Sequence, residues 1–205
     1  MKLETTLPAS SSHYAVMRMN ANEALGVVAE LRQRVLARQR FRGYSGLARA
    51  GGGTLALVGA AMVRLLIPDA SDTALVVTWG VVFCLAFGLN YGAVVWWRMS
   101  NRATTGALSP ALEPLPILLV GGVVTAALIH ASVLSLLPGV WMCLFGLTQF
   151  SAKYAMPQNI RLIGWYYIAV GIACLWFGEF SWREPLIMGG VFFMGEWSGG
   201  LILHS

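Results

Sequence analysis

Five polar side chains stand out within long apolar stretches of this 205-residue chain: Glu196, His130, Asn90, Gln149 and Arg64. An ionised carboxylate in hydrocarbon is costly unless it is paired, solvated or protonated. Glu196 can therefore relay a proton, bind a cationic ligand, or pair with a residue of the same fold or of another subunit. If its helix boundary shifted, it would be an ordinary interfacial residue. His130 is the only histidine expected inside a span. It can ligate haem or a chlorin, hydrogen-bond to a quinone, or simply join two helices. A bis-histidine haem would need a second histidine at depth, and His13 and His204 are terminal. The amides of Asn90 and Gln149 suit hydrogen bonds across helices. Arg64, toward the end of the first apolar run, can snorkel to the interface or pair with Asp69 or Asp72.

Several familiar chemistries lack their residues. There is no GxxxxGK[ST] loop, no HExxH and no GxSxG elbow. Gly51-Gly52-Gly53 opens an apolar run and follows no strand, so it is a poor phosphate cradle. Ser132 and Ser135 beside His130 have no acidic third member placed by the sequence. Cys84, Cys143 and Cys174 are odd in number, fall in apolar surroundings and lack CxxC spacing, so buried thiols are expected in place of disulfides or a metal cluster.

The elements that must position these residues are membrane helices. Hydrophobic residues make up 57% of the chain and charged residues 11%, and the charges avoid long stretches. Between Ala103 and Lys153 the only charged side chain is Glu113, and Ala70 to Trp97 contains only Asp72. Apolar runs near twenty residues match the hydrocarbon core. An all-α integral membrane protein with about six spans follows, at 48–67, 73–97, 116–137, 139–156, 160–178 and 186–203. Breaks are expected at Pro68–Asp72, at 98–115, at Pro138-Gly139, at Pro157-Gln158-Asn159 and at Glu179–Pro185. The fourth and sixth spans are short enough to be tilted or re-entrant.

Ahead of the transmembrane domain (48–203) come two further segments. Residues 1–19 lack periodicity, and no apolar run with a cleavage site marks a signal peptide, so the first span is expected to direct insertion. Residues 20–47 read as a basic amphipathic helix and linker. Asn20 and Glu23 can form a capping box, Leu25, Val28, Leu31 and Val35 share one face, and Arg34, Arg38 and Arg42 recur on another. With Arg49, these arginines are expected to contact anionic lipid headgroups. No nucleic-acid-binding motif accompanies them, and no nucleic acid is expected as a partner. With a cytoplasmic amino terminus, Arg98, Arg102, Lys153 and Arg161 all fall inside, and Asp69, Asp72, Glu179 and Glu184 outside, with Arg183 as the only basic loop residue there. Both termini are then cytoplasmic. Trp96, Trp97, Trp141, Trp165, Trp176 and Trp182 fall near span ends, as interfacial anchors do.

Internal similarity suggests three stacked helical hairpins. Gly52–Pro68 and Gly122–Pro138 have equal length, and each even-numbered helix carries a polar residue followed by an aromatic: Asn90-Tyr91, Gln149-Phe150 and Glu196-Trp197. Helix packing through small residues explains part of this pattern without any repeat. If the repeat holds, Asn90, Gln149 and Glu196 lie at similar depth and the even helices share a face.

The basic segment leading into a glycine-rich span, Tyr91-Gly92-Ala93-Val94-Val95-Trp96-Trp97-Arg98 and Leu137-Pro138-Gly139-Val140-Trp141-Met142 resemble an uncharacterised family of small multispan bacterial inner-membrane proteins. That family typically has a histidine where this chain has Glu196. The resemblance implies topology and a bacterial origin, and no chemistry. Three functions are compatible with the residues. The first is a non-catalytic accessory or structural subunit working with other membrane proteins. The second is a small proton-coupled transporter using Glu196, Asn90 and Gln149. The third is a redox or photosynthetic component whose unknown cofactor sits on His130.

Overall fold

A computed structural model describes residues 25–28, 30, 44–101, 112–151 and 157–204. The chain divides into two units, Met1–Arg40 and Phe41–Ser205. In the first, residues 25–28 and 30 are helical, with Leu25, Val27 and Val28 exposed. The expected capping box at Asn20 and Glu23, and Arg34, Arg38 and Arg42, lie outside the described residues, as does Lys153.

The second unit contains only helices and turns among its described residues. We label the helices α1 (Gly46–Leu66), α2 (Asp72–Asn101), α3 (Leu115–His130), α4 (Leu137–Ser151), α5 (Ile160–Trp176), α6 (Gly178–Arg183) and α7 (Pro185–His204), with a 3-10 turn at Leu134–Leu136 before α4. Ser45 caps α1, its hydroxyl accepting from the Ala48 N–H at 3.2 Å, and Ser71 does the same for Ala74 at the start of α2. Helix α1 runs antiparallel to α2 and to α7, and α4 runs antiparallel to α3 and to α5. One end of the bundle, called the near end below, holds the start of α1 and the finish of α7. The far end holds Leu66, Asp72 and Pro185.

Four helical segments are long and apolar enough to cross a membrane: α1, α2, the 3-10 turn continued by α4, and α7. Six such segments were expected. The other two, α3 with 16 residues and α5 with 17, are about 24–26 Å long, less than the ~30 Å hydrocarbon core. The expected third span, 116–137, stops at His130. The chain reverses at 131–133, where Ser132 adopts a left-handed conformation (φ 56°). Pro138 is not the break; it occupies the first turn of α4, where its missing N–H removes no helical hydrogen bond. Of the three thiols, Cys174 is buried, Cys143 is half-buried and Cys84 is exposed on the outer face of α2.

The even-numbered helices do not share one face as the repeat would require. The extensive contacts are α1 with α7, α4 with α5, and α1 with α2, while α3 leans on α4 and buries no residue fully. Glycines decide how close these helices come. A Cβ on Gly146 would stand 2.8 Å from the Gly164 carbonyl oxygen, and one on Gly171 would stand 2.9 Å from that of Gly139. The two helices therefore touch backbone to backbone at two levels, seven residues apart on each. On α1, Gly46, Gly53 and Ala60 recur at the same interval, against Gly200, the Phe192–Glu196 turn and Gly189. Small residues give membrane helices the close van der Waals contact that replaces a hydrophobic driving force.

Gly146→Ala is expected to destabilise the bundle by about 1–3 kcal/mol, because the clash is with backbone that cannot rotate away. Gly88→Ala on α2, where nothing lies within 4 Å, should leave stability unchanged or slightly raised. Unfolding of both variants in the same detergent checks the contrast.

Candidate functional site

Glu196 lies in the middle of α7 and is only 7% exposed. The Arg49 guanidinium, 5% exposed, donates from Nη2 to Glu196 Oε1 at 3.0 Å. The Tyr167 hydroxyl donates to the same oxygen at 2.9 Å and lies 3.4 Å from the Phe192 carbonyl. A phenol carries one proton, so the shorter, charge-assisted bond to the carboxylate takes it. Three elements thus meet at one oxygen: α1 through Arg49, α5 through Tyr167 and α7 through Glu196.

Glycines make room for each member. A Cβ on Gly199 would run into the Arg49 guanidinium, and one on Gly195 would run into the Tyr167 phenol. On the opposite helix, a Cβ on Gly53 would stand 2.8 Å from Glu196 Cβ. The site therefore needs Gly53, Gly195 and Gly199 as much as its charged groups. Aromatic edges seal it: Phe145 meets the Tyr167 ring at 5.0 Å between centroids and Phe192 at 5.4 Å, both edge-on. One turn away, Trp197 donates to Thr54, whose hydroxyl donates back to the Ala50 carbonyl. The same device recurs between α4 and α3, where Trp141 donates to Thr125 and Thr125 to the Gly121 carbonyl.

The ion pair is electroneutral and shielded from lipid, so the carboxylate exists at depth without the cost of a lone charge. Two buried side-chain atoms among the candidate residues remain unsatisfied. Arg49 Nε has no hydrogen-bond partner, because Gly199 presents it with bare backbone. Gln149 Oε1 is also without one. Just outside the first span, burial pushes the Tyr44 phenol well above its usual range. Tyr91 and Glu113 nearby push the same way and Arg49 opposes them.

The other candidates fall elsewhere. Arg49 was expected at the headgroups. It is instead buried, because its guanidinium lies against Gly199 of α7 and is bonded to the Glu196 carboxylate. Asn90 is half-buried, bonds to the Ala86 carbonyl of its own helix at 2.9 Å and packs beside Gly52. Gln149 is buried on α4, its amide nitrogen 3.2 Å from Thr148 Oγ1. Neither bonds to Glu196. His130 is the exposed last residue of α3 at the far end, away from Glu196, which is paired with Arg49. Arg64 pairs with neither Asp69 nor Asp72 but lies 3.5 Å from Glu184. Asp72 accepts from the Trp182 indole at 2.9 Å and pairs with Arg183 at 3.3 Å. Among the described residues no three metal-binding side chains cluster.

Tyr167 and the role of Arg49 were not foreseen from the sequence. The available signal was an arginine one turn into a glycine-rich span, and two glycines flanking Glu196 at positions −1 and +3. No family model, curated protein or solved structure matches the chain.

Leaving either charge alone should be destabilising, and unequally so. Arg49 lies one turn from the near interface and can turn outward if Glu196 is lost, whereas Glu196 at mid-helix has no such escape. Arg49→Leu is expected to cost about 3–5 kcal/mol and Glu196→Leu less, while the double variant recovers most of the loss. A double-mutant cycle measured by unfolding in detergent checks the order, and equal single losses without recovery would overturn it.

Proposed function

We propose that this chain is a non-catalytic integral membrane subunit that contributes a compact helical module to a larger membrane assembly. The observation that carries the reading is the closure of the Arg49–Glu196–Tyr167 contact upon itself. The buried charges neutralise each other, and the glycines beneath them admit not even a methyl group. Such a contact holds helices together and leaves Glu196 engaged, which disfavours the transport reading. The exposed position of His130 likewise disfavours a cofactor held at depth. Gly80, Gly88 and Gly92 of α2 have no neighbour within 4 Å, which leaves room for the backbone of another helix.

The finer topology belongs to the same proposal. All six long helices cross, with the short α3 and α5 extended by their flanking turns or met by a locally thinner bilayer. The near end carries Arg98 and Arg161, and at the far end Arg64 and Arg183 are offset by Asp69, Asp72, Glu179 and Glu184. That charge bias favours cytoplasmic termini in a bacterial inner membrane.

The test is a native mass and absorption spectrum of the protein gently extracted from its own membrane. A colourless assembly heavier than the chain is expected. A colourless species at the mass of the chain alone would overturn the subunit reading. A Soret or chlorin band lost in His130→Ala would restore the cofactor reading.

A further inference from the structure

We propose that the exposed faces of α3 and α5, which both pack on α4, form a lipid-selective surface that recruits phospholipids with short acyl chains, whereas α2 takes lipids of ordinary length. This rests on the reading that all six long helices cross. The first support is length. Helix α3 has 16 residues, preceded by Glu113 and ending on His130. The uncharged part of α5 runs only from Leu162 to Trp176. At 1.5 Å per residue, each offers about 22–24 Å of apolar surface. The uncharged stretch of α2, Thr73–Trp97, offers about 37 Å. Extension by flanking turns is limited by Glu113 and His130 on α3, and by Arg161 and Glu179 on α5.

The second support is exposure. Helix α3 buries no residue fully, and Leu119 and Val123 are 72% and 71% exposed. On α5, Trp165 and Trp176 are exposed as well. Eleven residues make close to three turns, so both indoles lie on one face, about 16 Å apart along the axis. Tryptophans settle at the two membrane–water interfaces, and this pair is spaced for a layer thinner than the usual ~30 Å core. The third support is mechanical. Tilt lowers the thickness that a long helix presents, but it cannot extend a short one. Helix α2 therefore meets a bilayer by leaning, whereas α3 and α5 require the bilayer to thin, which short chains do with the least distortion.

The full chain is reconstituted into phosphatidylcholine vesicles and labelled with a fluorophore on one thiol at a time. Cys84 is exposed near the middle of α2 and reports there in a Cys143→Ala background. Val123→Cys, with Cys84→Ala and Cys143→Ala, reports on α3. Leu119→Cys replaces it if the labelled protein departs from the unfolding profile of the unlabelled chain. Quenching by brominated lipid, in competition with phosphatidylcholines of fourteen or twenty-two carbons per chain, gives relative affinities at each position. At Val123 the shorter lipid is expected to bind about threefold better, and at Cys84 it should have no advantage. The same order at both positions, or no chain-length dependence at Val123, would overturn the proposal. An impermeant thiol reagent tests the crossing separately: Leu112→Cys and Ala131→Cys should label from opposite sides of sealed vesicles. Labelling from one side would overturn the six-crossing reading and this proposal with it. Opposite labelling without a chain-length preference would overturn this proposal alone.

Discussion

Backbone contact between α1 and α7 is the constraint on which the rest of the bundle depends. In hydrocarbon, two helices gain little from burying apolar side chains, since lipid solvates those as well as protein does. They gain from dispersion at short range and from polar contacts that lipid cannot supply. Both require the axes to approach closely, and only glycine and alanine at the contact permit that. Once α1 and α7 are in contact, a guanidinium on one and a carboxylate on the other are held away from lipid, and the cost of burying each is offset by its partner.

That contact also explains the layout. The first and last long helices are neighbours, so the bundle is closed by its two ends. The hairpin of α4 and α5 is built on its own glycine contacts and joins through Tyr167, whose phenol completes the coordination of Glu196. Tyr166 reinforces the join by donating to the Val191 carbonyl at 3.2 Å. At the far end, α6 carries Trp182 beneath the surface to Asp72, tying the start of α2 to the entry of α7. Most of α2 beyond its first turns, and much of α3, is exposed among the described residues.

The helical membrane class was legible because it follows from the scarcity of charge over long stretches. Element positions were legible to within a few residues wherever a turn carried its own chemistry, as at Pro68–Asp72. The break at Ala131–Val133 was not, since none of its residues is a strong breaker and Pro138 nearby is tolerated in a first turn. Glu196 was recognisable as a residue needing a partner, because the physics of a buried carboxylate is local. Its partner was not, because Arg49 looks like any basic residue at the mouth of a span. Which helix meets which is a non-local fact, and the pattern Asn90, Gln149, Glu196 pointed to even helices where the glycines on α1 and α7 decide the matter.

An apolar pair in place of Arg49 and Glu196 would fill the same space, so stability alone does not explain the charges. Register does. Gly46, Gly53 and Ala60 repeat every seven residues, and a helix packed against such a surface finds a similar surface after sliding by one repeat. The hairpin of α4 and α5 is protected from that slip by the short connection between them. Helices α1 and α7 have no such connection, being separated by four intervening long helices. Sliding them by seven residues would keep the small-residue contact but carry the guanidinium away from the carboxylate, leaving both charges unpaired at depth. One alignment alone satisfies Arg49, Glu196 and Tyr167 together. The buried pair is thus best understood as the feature that selects one register from several that packing would tolerate.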